Sequence, residues 1–391
     1  MNKKVIRYKV IQLLLALIFS NNSTAQNKGG EKLFTQPLES DIILAGTFGE
    51  IRTNHFHSGL DISTGGVDGK KVMAAADGYV SRIKVSAEGF GNAIYITHTN
   101  GYMTVYGHLQ RYNDVIQRYV RAIQYKKESF EVEIFPERNE LVVKRGDVIA
   151  FSGNTGGSAG PHLHFEIRDE KTEEPLEPKQ FGLQIKDDIN PTINSIAFYP
   201  LNNNGNINNG CDKLIIPVKR KENEYTVQEN MKIILSGETG FGIEVSDEQV
   251  RNGSSLGIKR IELIIDDKKI YDYNFDRFRF DESRFVNANI DYAERVSSGK
   301  RITLCYRLPG NKFSMTKKDN LSGVMSFNID GSHTGIFRVY DFSNNMSQAS
   351  FHFISTSKKM NCNDIKSNDT TFFISYNKPF LHETADVKLC T

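Results

Sequence analysis

The chain has no tryptophan, and this absence alone excludes the Cys…Trp…Cys hallmark of antibody-type immunoglobulin domains. It has four cysteines, all in the second half (Cys211, Cys305, Cys362 and Cys390), with no C-x-x-C spacing that would suggest a cysteine zinc site. Charge of one sign is missing as well. A formal net charge of +2 and the lack of any long like-charge run give no argument for nucleic acid or an anionic membrane surface as partner, and no nucleic acid is expected. Beyond the first twenty residues no stretch is apolar enough to cross a bilayer, and helical periodicity is nearly absent between Lys71 and Leu109.

What is present begins with Lys3, Lys4, Arg7 and Lys9, which precede an apolar run from Val10 to Phe19 and then Ser23-Thr24-Ala25-Gln26. This is the pattern of a secretory signal peptide, 1–25, cut after about Ala25, and it predicts an exported protein, periplasmic or extracellular and associated with the cell envelope. No cysteine adjoins the cut, which argues against a lipoprotein. In an oxidising compartment the four cysteines could pair in three ways, and the spacing chooses none of them.

A polar lead-in, 26–40, gives way to short strands separated by glycine turns. Tyr79–Val85 and Asn92–His98 are rich in β-branched and aromatic residues with partial period-two alternation, so an antiparallel β domain is expected over 41–185. Within it, 110–140 breaks the pattern: Ile116, Tyr119, Val120 and Ile123 have helical spacing, whereas Phe130, Val132 and Ile134 alternate. It reads as a surface insertion that walls or covers the groove. After Lys186 the character changes, and hairpins are expected at Ile261–Ile265 with Ile270–Tyr273, and at Gly335–Tyr340 with Ala349–Phe353. One or two β-sandwich modules of immunoglobulin-like type are expected over 186–391, giving an all-β fold class overall.

The chemistry concentrates in His57-Ser58-Gly59-Leu60-Asp61 and Gly160-Pro161-His162-Leu163-His164-Phe165-Glu166. Imidazole and carboxylate donors suit one divalent ion, with zinc the natural candidate, and a catalytic zinc keeps three protein ligands and one open position. In a strand His162 and His164 point to one face. His108, in Tyr106-Gly107-His108-Leu109, ends a strand of the same domain.

These segments, with Ala75-Ala76-Asp77-Gly78-Tyr79-Val80, Gly91-Asn92, Gly146-Asp147 and Gly153-Asn154-Thr155-Gly156, resemble the M23 peptidases, the LytM/lysostaphin-type zinc endopeptidases of peptidoglycan, from about Ser40 to Gln180. The resemblance implies an antiparallel LytM-type groove domain in which His57, Asp61 and His164 bind Zn2+ while His108 and His162 line the open side and act on water and oxyanion. It implies hydrolysis of peptidoglycan cross-link or stem peptides. The alternatives are a catalytically silent LytM-like regulator or binding protein of wall hydrolases, and a peptidase acting on proteins or glycine-rich peptides. Glu166 is expected to support His164 from behind, His98 to be exposed or structural, and His55 to stay outside the site. The second half is expected to bind a partner protein, the cell wall or the catalytic domain.

Overall fold

The computed structural model describes residues 33–358 apart from 203–204, 223, 229–230 and 315–320. The signal-peptide reading and Cys362 and Cys390 fall outside the described residues. Among the described residues no helix is long and apolar enough to cross a membrane.

The first half is built from short antiparallel strands: β1 (Leu44–Gly46), β2 (Ile51–Arg52), β3 (His55–Phe56), β4 (Leu60–Ser63), β5 (Lys71–Met73), β6 (Gly78–Val85), β7 (Ala93–His98), β8 (Tyr102–Gly107), β9 (Arg111–Tyr112), β10 (Val132–Ile134), β11 (Val142–Val143), β12 (Val148–Phe151), β13 (His162–Asp169) and β14 (Pro175–Leu176). The main sheet runs β1-β4-β13-β8-β7-β6-β10, with β11 on β6 and β14 on β13, and a second sheet runs β5-β12-β9. β13 is therefore central, flanked by β4 and β8. Its register sets His164 opposite Asp61 on one side and opposite Gly107 on the other. Residues about a hundred positions apart in sequence thus meet on one line across three strands.

The helical spacing of 116–123 becomes one helix, α1 (Asp114–Lys127), begun by Asn113, whose side chain accepts from the Ile116 amide at 2.9 Å, and stopped at Glu128 in the left-handed conformation. Ile116 and Val120 face the core. The strand of this excursion does not wall the groove. β10 continues the main sheet beyond β6 and lies four strands from β13, roughly 19 Å away at ~4.8 Å per strand.

The strands beyond residue 191 join one hydrogen-bonded network of twelve. Thr192–Pro200 pairs with Leu214–Pro217 and with the long strand Ile234–Ser246; Arg260–Ile265 pairs with Lys268–Asn274 and Gly331–Tyr340, and the last pairs with Met346–Ser355. Both expected hairpins form. Asp266 and Asp267 take φ of 47° and 60°, the paired positive values of a tight two-residue turn. Two further contacts, of Glu224–Thr226 and of Ile234–Ser246 with Met346–Ser355, are parallel. Cys211 is disulfide-bonded and Cys305 is a buried free thiol.

The halves share one apolar core that runs from Phe34 to Phe353. At its centre Phe48 and Phe56, from the segment that leads into His57, pack against Phe275, Phe278 and Phe313, with ring centroids 4.9–5.9 Å apart. All five rings are buried. The Phe56 amide donates to Ser283 Oγ at 2.8 Å, and the Gly257 amide to Thr47 Oγ1 at 2.7 Å. The wall beside His57 therefore comes from the second half.

Candidate metal centre

His57 Nε2, Asp61 Oδ1 and His164 Nδ1 form a triangle with sides of 3.0, 3.1 and 2.9 Å. Ligands held ~2.0–2.1 Å from one tetrahedral ion lie about 3.3 Å apart, so these three donors fit a small tetrahedral cation with only slight expansion. Two nitrogens and one carboxylate oxygen are donors that zinc accepts.

Each donor is aimed by a contact on its far side, as ligands of metal sites commonly are. His57 Nδ1–H donates to the Thr47 carbonyl at 2.7 Å, which turns Nε2 to the centre. His164 Nε2–H donates to Glu166 Oε1 at 2.8 Å, which leaves Nδ1 for the centre. The other oxygen of Asp61 accepts from Arg52 Nη2 at 2.5 Å. Phe90 stacks on the His164 ring with centroids 4.6 Å apart. Gly59 lets the segment after His57 lie close against β13, because a Cβ there would stand 2.3 Å from the Phe165 carbonyl oxygen.

Glu166 is itself buried and bound on all sides, accepting from Ser58 Oγ and from Arg168 Nε, both at 2.5 Å. Burial works against its charge, but Arg168 and His164 prevail and hold its carboxyl down at about 2. Burial likewise opposes protonation of His164, yet hydrogen bonds to Asp61 and Glu166 outweigh it and raise the imidazole to about 9. Asp61 is buried too, and the surrounding histidines hold it well below the usual carboxylate range. The pocket is built to attract positive charge.

Two more histidines face the triangle. His162 Nε2 lies 3.3 Å from Asp61 Oδ1, and its Nδ1 contacts the Gly160 carbonyl at 2.8 Å. His108 sits just past β8 with φ 57°, a conformation that costs energy for a residue with a Cβ. Its Nδ1–H donates to the Thr155 carbonyl at 2.7 Å, leaving Nε2 as a lone-pair nitrogen. Burial lowers its pKa to about 4, so it is neutral at pH 7. The His108 and His162 rings lie 4.7 Å apart, and His162 is the more exposed.

The structure thus brings His57, Asp61, His108, His162 and His164 into one cluster. His55 is outside it, exposed and bonded to the Thr53 carbonyl. His98 is buried between the Asp77 carbonyl and Thr104 Oγ1, a structural residue. The sequence reading passed over Thr47, Arg52, Thr155 and Arg168. Arg168 could have been found, since period two continues His162, His164 and Glu166 along one face of β13. A backbone carbonyl such as that of Thr47 leaves no mark in a sequence.

The model of the family described as "Peptidase family M23" matches residues 55–124 and 136–178. The DD-carboxypeptidase/endopeptidase Mpg of Neisseria meningitidis serogroup B is 35% identical over 118 residues, 30% of this chain and 21% of that protein. The murein hydrolase activator NlpD of Salmonella dublin is 34% identical over 112 residues, 29% of this chain and 23% of that protein. The catalytic domain of lysostaphin from Staphylococcus simulans is 25% identical, with 34% of this chain and 87% of that one covered and a TM-score of 0.26. The chain thus spans about a fifth of the length of these curated relatives.

Proposed function

Since residues 55–124 and 136–178 match peptidase family M23, we propose that this protein is an exported zinc-dependent endopeptidase that hydrolyses peptide bonds in peptidoglycan cross-links or stem peptides. The observation that carries the reading is the triangle of His57, Asp61 and His164 donors, each aimed by a buried contact, beside His108 and His162, whose rings face it.

Zinc bound there would polarise a scissile carbonyl and bring the pKa of water towards ~7. The chain's own residues do the rest. His108, neutral at working pH and with Nε2 free, accepts a proton from water or donates a hydrogen bond once protonated. His162, at the exposed side, faces an incoming peptide, and a proton on its Nε2 would stabilise the oxygen that gains charge. Asp61 and Glu166 supply the negative charge that offsets the cation, and Arg168 keeps Glu166 ionised. The second half forms the neighbouring wall through residues 275–289, and its first partner is the catalytic region itself.

The silent-regulator reading draws on the likeness to an activator named for murein hydrolases. Against it stand the five intact side chains and the exposed edge of His162. The deciding experiment digests purified peptidoglycan with the exported form of the protein, beside His164→Ala and a chelated sample. New peptide termini seen by mass spectrometry in the wild-type digest alone are the expected result. A metal-loaded wild type that releases nothing, yet stimulates a wall amidase, would replace the peptidase reading with the regulatory one. Cleavage of a glycine-rich peptide in preference to muropeptides would keep the mechanism and change the substrate.

A further inference from the structure

A second cluster of possible ligands lies away from the histidines, where the two halves meet. Asp187, Asp247 and Asp341 each present a carboxylate oxygen, the three within 4.8 Å of one another. Asp187 precedes the first strand of the second half, Asp247 follows Ile234–Ser246, and Asp341 follows Gly331–Tyr340. A small cavity is lined by Asp187 and Asp247 together with Glu177, Lys179 and Ser343.

Four carboxylates in such a place need compensation. Asp247, Asp341 and Glu177 are 4%, 0% and 1% exposed. Lys179 lines the same cavity and its charge acts on Asp341, Asp187 and Glu177, but its ammonium bonds Ser343 Oγ at 2.5 Å and it does not reach Asp247. Lys259 exerts only a longer-range field on Glu177. Asp247 Oδ1 is the decisive atom: it is buried and has no hydrogen-bond partner among the described residues. An isolated buried charge of that kind is expensive unless something pairs with it. Burial together with the neighbouring aspartates pushes Asp247 up to about 7, and burial pushes Asp341 up to about 6 despite its hydrogen bonds from Asn345.

The cluster is also shaped in advance. The Ser343 and Asn345 amides both donate to Asp341 Oδ1, at 2.7 and 2.9 Å, while Asn345 Nδ2 donates to Asp341 Oδ2 and to the Asp187 carbonyl. Ser343 Oγ lies 3.3 Å from Asp187 Oδ2. The donors are all oxygen, which suits a hard cation with six to eight ligands at ~2.3–2.6 Å and not zinc.

We propose that Asp187, Asp247 and Asp341 bind one calcium ion, and that this ion joins the linker at 187 to two strands of the second half. The cavity is floored by Leu44, Thr47 and Leu60, from the segment that carries His57 and Asp61. The ion therefore steadies the seat of the peptidase centre without entering it. This inference stands apart from the peptidase reading, and neither depends on the other.

The test uses the full chain with metal already at the histidine centre, freed of loose ions and titrated calorimetrically with calcium chloride, with thermal unfolding followed in parallel. One calcium per chain, and a Tm several degrees higher in excess calcium, is the expected result. Asp247→Asn, nearly the same shape without the charge, should weaken calcium binding at least about tenfold and abolish the Tm rise, while its zinc content by elemental analysis stays at one. Because that variant could fail to fold, calcium binding is also measured in His164→Ala, where it should persist. The proposal is overturned if the wild type takes up no calcium at millimolar concentration and Asp247→Asn is as stable as the parent, since protons would then hold the cluster. It is equally overturned if Asp247→Asn keeps its calcium response, or if His164→Ala loses it.

Discussion

Glu166 holds three neighbours at once, Ser58, His164 and Arg168, with none of its side chain exposed. Replacing it with glutamine leaves the buried Arg168 with only its longer, 3.6 Å contact to Glu173 and weakens the hold on His164. Glu166→Gln should lower metal affinity about 10–100-fold and cost roughly 3–5 kcal/mol of stability, read by competition with a chromophoric chelator and by urea unfolding. An unchanged metal affinity would remove Glu166 from the site's support. His164 sets a pH dependence. Its proton, held up to about 9, must leave before a metal binds, so between pH 6 and 8 affinity should rise about tenfold per unit. The folded pKa lies above the ordinary value of 6.5. In the chelated protein the stability from this proton is therefore complete below pH 6.5 and lost as pH rises through about 9. Chelated and loaded samples melted across that window should diverge as pH rises. The histidines and Asp61 were legible because their spacing and strand periodicity are written locally. The holds behind them were not, because a carbonyl, a buried serine and an arginine carry no signature until β4, β8 and β13 are set in register.

The hairpin of β2 and β3 is the element on which His57 depends, and it is too short to hold itself. It is fixed by Phe275, Phe278 and Phe313, more than two hundred residues away, and by Ser283. Gly49, at φ 69°, lies against the Phe275 ring, where a Cβ would approach to 2.3 Å. Phe275→Ala should cost about 3–5 kcal/mol, and it should also weaken metal binding, because the freed hairpin no longer presents Thr47 and His57 in place. Loss of stability without any change in metal affinity would show that the aromatic cluster is core and nothing more. The elements themselves were readable in proportion to how local their causes are. The 265–268 turn announces itself through Asp-Asp between apolar runs, and α1 through its spacing. The main sheet's order was not readable, since β13 pairs with strands about a hundred and about sixty residues earlier. The insertion was placed over the groove for the same reason: its alternation identified a strand but not which edge that strand would join.

At the scale of the whole molecule, the change of character near Lys186 suggested two separable units, whereas the packing joins them. The apolar core runs through both halves. Gln249 ties them in a way a flexible linker does not: its Oε1 accepts from the Leu44 amide at 2.7 Å, and its Nε2 donates to the carbonyls of Ile42 and Lys186, both at 2.9 Å. Cutting the chain after residue 186 would expose Phe48 and Phe56 and strand these buried backbone groups. Calorimetry of the intact protein should accordingly give one transition whose van't Hoff and calorimetric enthalpies agree, and the isolated first half should not melt cooperatively at the same temperature. Two resolved transitions would mean that the shared aromatic cluster contributes less than either sheet's own packing, and the second half would then be free to serve as a detachable recognition module. A single transition makes the second half a structural part of the metal centre, so that variants as distant as Phe275 must be judged by what they do to His57.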